Sequence, residues 1–298
     1  MNLLITGAWT QARKFIPQIK ELRHEVIFMQ QEKDPLPCTP EWPEGIICNS
    51  LFLTYSIETF KNLKYIQLTS AGYDRVPIDY IQLHNIEIHN ARGVYSIPMA
   101  EFVIAEVLSI YKHLNEFRIQ QEQHEWHKHR DLQELNGKTV VILGCGSVGT
   151  ECAKRFKMFG CTVIGMDIIK KGNVNYNCIK PITELDSIIS IADILLITLP
   201  LTKETKGLIN EERLQKIRKN AILVNISRGA IIDVKALEAW NGQAILDVFD
   251  EEPLDKGSIL WKKEGFILTP HNCFESINNQ ERLRETLNNT SDFRTPVI

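Results

Sequence analysis

An α/β fold built from two doubly wound, parallel-sheet domains is what this sequence predicts, and three observations predict it. Short apolar runs alternate with amphipathic segments along both halves of the chain, the pattern of strands joined by crossover helices. Strands joined in this way form parallel sheets covered on both faces. The chain has 298 residues, and at roughly 150 residues per domain that length favours two domains.

In the first half, the runs at 3–6 (LLIT), 25–29 (EVIFM), 45–49 (GIICN), 65–69 (YIQLT) and 86–90 (IEIHN) read as strands. Helical stretches are expected around 11–22 and 57–62. From Ser96 to about Gln121 runs the longest helical pattern, with Phe102, Ile104, Ala105, Leu108, Tyr111 and Leu114 recurring at helical spacing. Pro98 suits its first turn. The second half opens on TVVIL (139–143) and continues with strands at 162–167, 192–200, 221–227, 244–249 and 266–271. Residues 211–218 form the clearest helix there, and 280–293 is helical in pattern.

Hydrophobic residues at 44% and charged ones at 24% describe an ordinary globular chain. A chain of this length buries about 75% of its unfolded surface, enough to fold without a disulfide or structural metal. The formal net charge of −3, with both signs mixed, gives no basic footprint for nucleic acid. No run approaches the ~18 apolar residues of a membrane span. The start, MNLLITGAWT, lacks a basic n-region and reads as a first strand and not as a signal peptide. Seven cysteines without a CxxC pair argue against a disulfide or zinc framework. Reduced thiols, a cytoplasmic location and no metal site are the expectation.

The second half carries a nucleotide signature. Gly144, Gly146 and Gly149 form GxGxxG directly between an apolar run and a helical one, the strand–turn–helix setting the motif requires. Gly144 allows the tight turn, Gly146 the approach of a pyrophosphate, and Gly149 close packing of helix on strand. Amides at the helix start, including those of Ser147 and Val148, would face the phosphates. Asp167 ends the next strand, 18 residues on (167 − 149), close to the ~20 expected of the acid that takes the ribose hydroxyls. A carboxylate there accepts from a 2′-OH and repels a 2′-phosphate, by up to ~4 kcal/mol at 4 Å. NAD is therefore expected over NADP, with Lys170 and Lys171 placed to soften the repulsion. Cys145 reads as a small filler of the turn.

Three polar residues sit where strands should end: Arg228 in NISRGAIID, Glu252 in LDVFDEEPL and His271 in LTPHN. Each alone has a plain structural explanation, as a turn residue, part of an acidic loop and a loop histidine. Together with the glycine motif and Asp167 they make the chain similar to the D-isomer-specific 2-hydroxyacid dehydrogenases, from SAGYD at 70–74 to TPHN at 269–272. That resemblance implies a flavodoxin-like substrate domain, 1–92 plus 273–298, and a Rossmann NAD-binding domain, 93–272. It implies that Arg228 binds and polarises a keto acid and that Glu252 pairs with His271, the acid/base. It also implies a backbone clamp for the substrate carboxylate at Ser70, Ala71 and Gly72, and a nicotinamide contact at Asp247. Thr198, Leu199 and Pro200 would wall the adenine pocket, with Ile226 and Ser227 as further cofactor contacts. Asn90 to Gly93 matches the first crossing between domains.

The chemistry needs these residue types. Hydride arriving at a 2-keto carbon leaves charge on oxygen, so a proton donor must stand beside it, worth ~10²–10⁴-fold. A carboxylate neighbour favours the protonated, donating imidazole. Arginine offers a planar fork of donors to carboxylate and carbonyl oxygens. The expected partner is a small 2-keto or 2-hydroxy acid, and the family and the long helix after Ser96 suggest a homodimer. Asn272-Cys273-Phe274 departs from the small residues that commonly follow the family's histidine. A corepressor-like scaffold that binds NAD without turnover is the alternative within the resemblance.

Overall fold

The structure, a computed structural model, describes residues 1–168 and 172–288. The chain divides into two compact units, one of Met1–Tyr95 with the C-terminal segment from Ser276, the other of Ser96–Glu275.

The first unit runs β1 (Asn2–Thr6), α1 (Ala12–Glu21), β2 (Glu25–Met29), β3 (Gly45–Cys48), β4 (Tyr65–Leu68), α2 (Ile78–Leu83) and β5 (Glu87–His89). Its sheet is parallel, in the order β2-β1-β3-β4-β5, a flavodoxin-like arrangement. Alternate residues of each strand serve opposite faces. Leu3, Ile5 and Ile47 enter one buried cluster, Leu4, Ile46 and Cys48 the other. Residues 57–62, expected to be helical, make only a 3-10 turn at Ile57–Thr59. Ile57 and Phe60 are buried there, so one apolar turn exhausts the segment's buried face.

The second unit runs α3 (Ser96–Tyr111), α4 (Leu114–Glu122), β6 (Thr139–Leu143), α5 (Ser147–Met158), β7 (Thr162–Asp167), β8 (Cys178–Pro181), α6 (Leu185–Ile188), β9 (Ile194–Ile197), α7 (Glu211–Lys216), β10 (Ile222–Asn225), α8 (Val234–Ala239), β11 (Gln243–Leu246) and β12 (Phe266–Leu268). Helix α9 (Asn279–Asn288) follows in the first unit and buries Leu283 in that unit's core. The seven-stranded parallel sheet has the order β12-β11-β10-β9-β6-β7-β8. The direction of winding therefore reverses between β6 and β9, the switch point at which open α/β sheets bind ligands. Val141, Leu195 and Leu223 pack on one face, and Val140, Leu196 and Val224 on the other.

Two corrections concern elements. The single helix expected over 96–121 is two, because His113 takes a left-handed conformation (φ 49°) between α3 and α4. Buried positions stop at Tyr111, and α4 has none, so no core contact enforces continuity. Strand β8 lies at the sheet edge and was invisible in sequence. In CIKP only Ile179 is buried, too little for an apolar run.

Candidate active site

The glycine turn follows β6. Gly144 has φ +98° and its amide donates to Met166 O of β7 at 2.8 Å. A Cβ on Gly144 would stand 3.0 Å from the Thr198 and Leu199 backbone, and one on Gly149 2.0 Å from Gly144 O. Both glycines are thus demanded by the fold. Gly146 is different, since a Cβ there would meet nothing within 4 Å. It caps α5 without a side-chain hydrogen bond, so the helix's first amides rely on no side chain of their own cap. An anion fits such a start, and the donor set suits a pyrophosphate.

Neighbouring strands brace this turn. Thr198, just past β9, donates its hydroxyl to Leu143 O at 3.1 Å and Gly144 O at 2.8 Å; Leu199 is buried and Pro200 exposed. Asp167 at the end of β7 accepts from Cys145 N and Ile168 N, both at 2.7 Å. Its carboxylate is therefore held beside the glycine turn. Lys170 and Lys171 lie outside the described residues. Burial raises the Cys145 thiol to about 11, so it is protonated near neutrality and serves as filler, against which Gly165 leaves room.

Three loops after adjacent strands carry the polar residues. After β10, Asn225 is fully buried. Its amide donates to Arg228 O at 2.9 Å, and its carbonyl accepts from the amide and hydroxyl of Ser227, each at 3.1 Å. Ile226 is buried beside it. Arg228 is extended and half-buried, and donates from Nη1 to Ser227 O at 2.8 Å. A Cβ on Gly229 would lie 1.9 Å from Phe249 C, so the Arg228 loop abuts the backbone leading to Glu252.

After β11, Asp247 is fully buried. Its Oδ1 accepts from Thr269 Oγ1 at 2.6 Å and Asn272 N at 2.9 Å, and its Oδ2 from Cys273 N at 3.0 Å. This carboxylate fixes the backbone on both sides of His271. Glu252 accepts from Phe249 N at 3.0 Å through Oε1, and its Oε2 meets His271 Nδ1 at 2.7 Å. His271, after β12, has φ 52°, a left-handed conformation in which histidine is enriched several-fold over most side chains. Phe274 sets its ring edge-on to the imidazole, centroids 5.9 Å apart. Burial, then Asp247, pushes the Cys273 thiol well above its ordinary value, which leaves it inert beside the histidine.

Glu252 and His271 are thus in direct contact, and the Gly229–Phe249 packing sets the loop that carries Arg228 against the loop that carries Glu252. Ser70, Ala71 and Gly72 follow β4 in the other unit. Ser70 O accepts from Ala91 N at 2.9 Å and Ala71 O from Asn90 Nδ2 at 2.6 Å, which fixes the turn's backbone. Sequence reasoning missed Asn225 and Thr269 as supports. The one signal for each was a polar residue closing an apolar run.

No helix among the described residues is long and apolar enough to cross a membrane. Residues 104–273 match the family described as D-isomer specific 2-hydroxyacid dehydrogenase, NAD binding domain. A glyoxylate reductase of Thermofilum pendens is 35% identical over 237 residues, 75% of this chain and 69% of that protein. A solved D-isomer specific 2-hydroxyacid dehydrogenase family protein from Aeromonas salmonicida, 26% identical, superposes with a TM-score of 0.84 over 97% of this chain and 94% of its own. One from Xanthobacter autotrophicus, in complex with NADPH and MES, is 25% identical with a TM-score of 0.76 over 96% and 93%. The sheet order, the glycine turn and these likenesses agree: the chain belongs to the D-isomer specific 2-hydroxyacid dehydrogenase family, as an NAD(P)-dependent oxidoreductase.

Proposed function

We propose that the enzyme interconverts a small 2-keto acid and its D-2-hydroxy acid, with NAD preferred, His271 as acid/base paired to Glu252, and Arg228 binding and polarising the substrate. The observation that carries this reading is the 2.7 Å Glu252–His271 pair, set in the same unit as the glycine turn. A bound nicotinamide would supply the hydride or accept it. A carboxylate is an acceptor, so the histidine's Nδ1 carries the proton that Glu252 receives. Nε2 is then the atom that gives a proton to the developing alkoxide, or takes one from the hydroxyl in the reverse direction. Arg228 gives a donor to Ser227 O, and the reading assigns its planar fork to the substrate carboxylate and keto oxygen when substrate binds.

Gly144, Gly146, Ser147, Val148 and Gly149 are assigned the pyrophosphate, and Asp167 the ribose hydroxyls. Thr198, Leu199 and Pro200 are assigned the adenine, with Ile226, Ser227 and Asp247 toward the nicotinamide. The amides of Ser70, Ala71 and Gly72 are assigned the substrate carboxylate. The likeness to the glyoxylate reductase of Thermofilum pendens supports a keto acid as small as the two-carbon glyoxylate. The test is nicotinamide oxidation by the purified chain with NADH or NADPH and glyoxylate, hydroxypyruvate, pyruvate or branched 2-keto acids. Turnover with NADH on one of them is expected. NADH binding without turnover on any would sink the reading in favour of a scaffold. Assembly as a homodimer belongs to the same proposal, and a monomer by light scattering would remove it.

A further inference from the structure

The break between α3 and α4 assembles a group of side chains that the dehydrogenase chemistry does not use. His113, whose φ of 49° ends one helix and caps the next, projects beside α4. The chain leaves α4 and returns to the end of α3, where Gln133 N donates to Tyr111 O at 2.9 Å and Lys112 Nζ to Gln133 O at 2.6 Å. That return lays the His129 ring on His113, with centroids 4.9 Å apart and planes within 11°, and edge-on to Phe117. Asp131 lies against both: its Oδ2 is 3.4 Å from His113 Nε2 and its Oδ1 3.9 Å from His129 Nδ1.

We infer that His113, His129 and Asp131 form a site for a divalent first-row transition metal of the zinc class. One ligand atom from each residue lies within 4.8 Å of the others. Two ligands on a tetrahedral zinc, each ~2.0–2.1 Å from it, stand about 3.3 Å apart. The His113–Asp131 edge already has that length at 3.4 Å, and the others close by rotation of the exposed Asp131 and the partly buried histidines. Each ring has a polar side chain beside its other nitrogen, the position from which metal-bound histidines are oriented. His113 turns its other nitrogen, Nδ1, toward Glu116 Oε1 at 3.6 Å, beyond hydrogen-bond range but within a side-chain rotation of the carboxylate–histidine–metal arrangement that fixes tautomer and ring orientation. His129 turns Nε2 toward the Gln120 side-chain amide at 2.9 Å, and that amide accepts from a metal-bound histidine's N–H once its oxygen is turned inward. Two imidazoles and one carboxylate select zinc, cobalt, nickel or copper over magnesium or calcium. Water completes the coordination, and the ion clamps residues 129–131 to the helix break. The cysteine-based expectation of no metal did not weigh these histidines, which lie 16 residues apart (129 − 113) and are brought together at the helix break.

Calorimetric titration of the full-length protein with zinc chloride tests the site, with magnesium chloride as the hard-cation control. One zinc per chain is expected, and no response to magnesium. His129→Gln and Asp131→Asn should each weaken zinc at least tenfold, while changing the exposed His124 and His127 together to Gln should leave affinity unchanged. Cobalt added in place of zinc should give ligand-field absorption without a thiolate charge-transfer band. Unchanged zinc affinity in both ligand variants, dependence on His124 and His127, or a thiolate band would each overturn the proposal. Metal-free melting of the variants reports their folding, and Asp131, exposed on the surface, is the substitution least able to disturb it.

Discussion

His271 sits in a left-handed backbone conformation with its Nδ1 given to Glu252 and its ring bordered by Phe274. Each contact restricts how the ring can turn, which is what a residue that delivers a proton to one atom needs. Replacing His271 with Ala should lower kcat by ~10²–10⁴-fold with little change in NADH affinity, measured by steady-state kinetics and by fluorescence titration of NADH. A variant with the parental rate would take His271 out of the mechanism. In the proposed function Asp167 is assigned the choice of cofactor. With its carboxylate anchored to Cys145 N and Ile168 N, it sets a negative charge at the end of β7. Asp167→Ala should raise kcat/KM for NADPH relative to NADH at least tenfold, and an unmoved ratio would refute the assignment.

At the scale of elements, the three loops after β10, β11 and β12 are positioned by groups that do no chemistry themselves. Gly229 is the tightest of these. A methyl group in its place would fall 1.9 Å from Phe249 C, inside any allowed contact and against backbone that cannot rotate away. Gly229→Ala should therefore cost more than ~3 kcal/mol and cut activity through displaced Arg228 and Glu252, as read by urea denaturation and turnover. Retained stability and rate would show that the two loops do not need to touch. Elsewhere in the second unit, Asp186 links α6 to α7. Hydrogen bonds from Arg213 and then Lys216 hold its carboxyl down at about 2, below the ordinary 3.8. A depressed folded pKa stabilises above the unfolded value and fades as pH falls from about 3.8 toward 2. The group is largely exposed, so screening leaves ~0.3–1 kcal/mol. Asp186→Asn should lower the unfolding free energy read from urea denaturation by that amount at pH 6 and by progressively less as pH falls through about 2, and an equal loss at all pH values would contradict the pairing.

The whole molecule is two units, each with clusters on both faces of its own sheet. The glycine turn and Asp167 lie in the second. NADH at a hundred times its dissociation constant should stabilise that unit by about 2.7 kcal/mol. Differential scanning calorimetry should then show the second unit's transition rising while the first stays, and a single transition moving as one would show that the units unfold together.

Much of this fold was legible residue by residue. Continuous apolar runs such as TVVIL and AILVNIS can be buried only on both faces, and the glycine spacing after the first of them names a nucleotide turn. Elements that owe their existence to a neighbour were not legible. Strand β8 is held by pairing with β7, and α4 departs from α3 because no core contact continues past Tyr111.

The sequence by itself determined the strands that carry apolar runs, the glycine turn, the acid at Asp167 and the types Arg228, Glu252 and His271, since composition and short-range order encode those directly. Tertiary structure alone decided that Glu252 meets His271, that Asn225 and Asp247 hold the loops, and that His113 stacks on His129. Contacts between residues far apart in the chain depend on strand order and loop path, which no local pattern specifies.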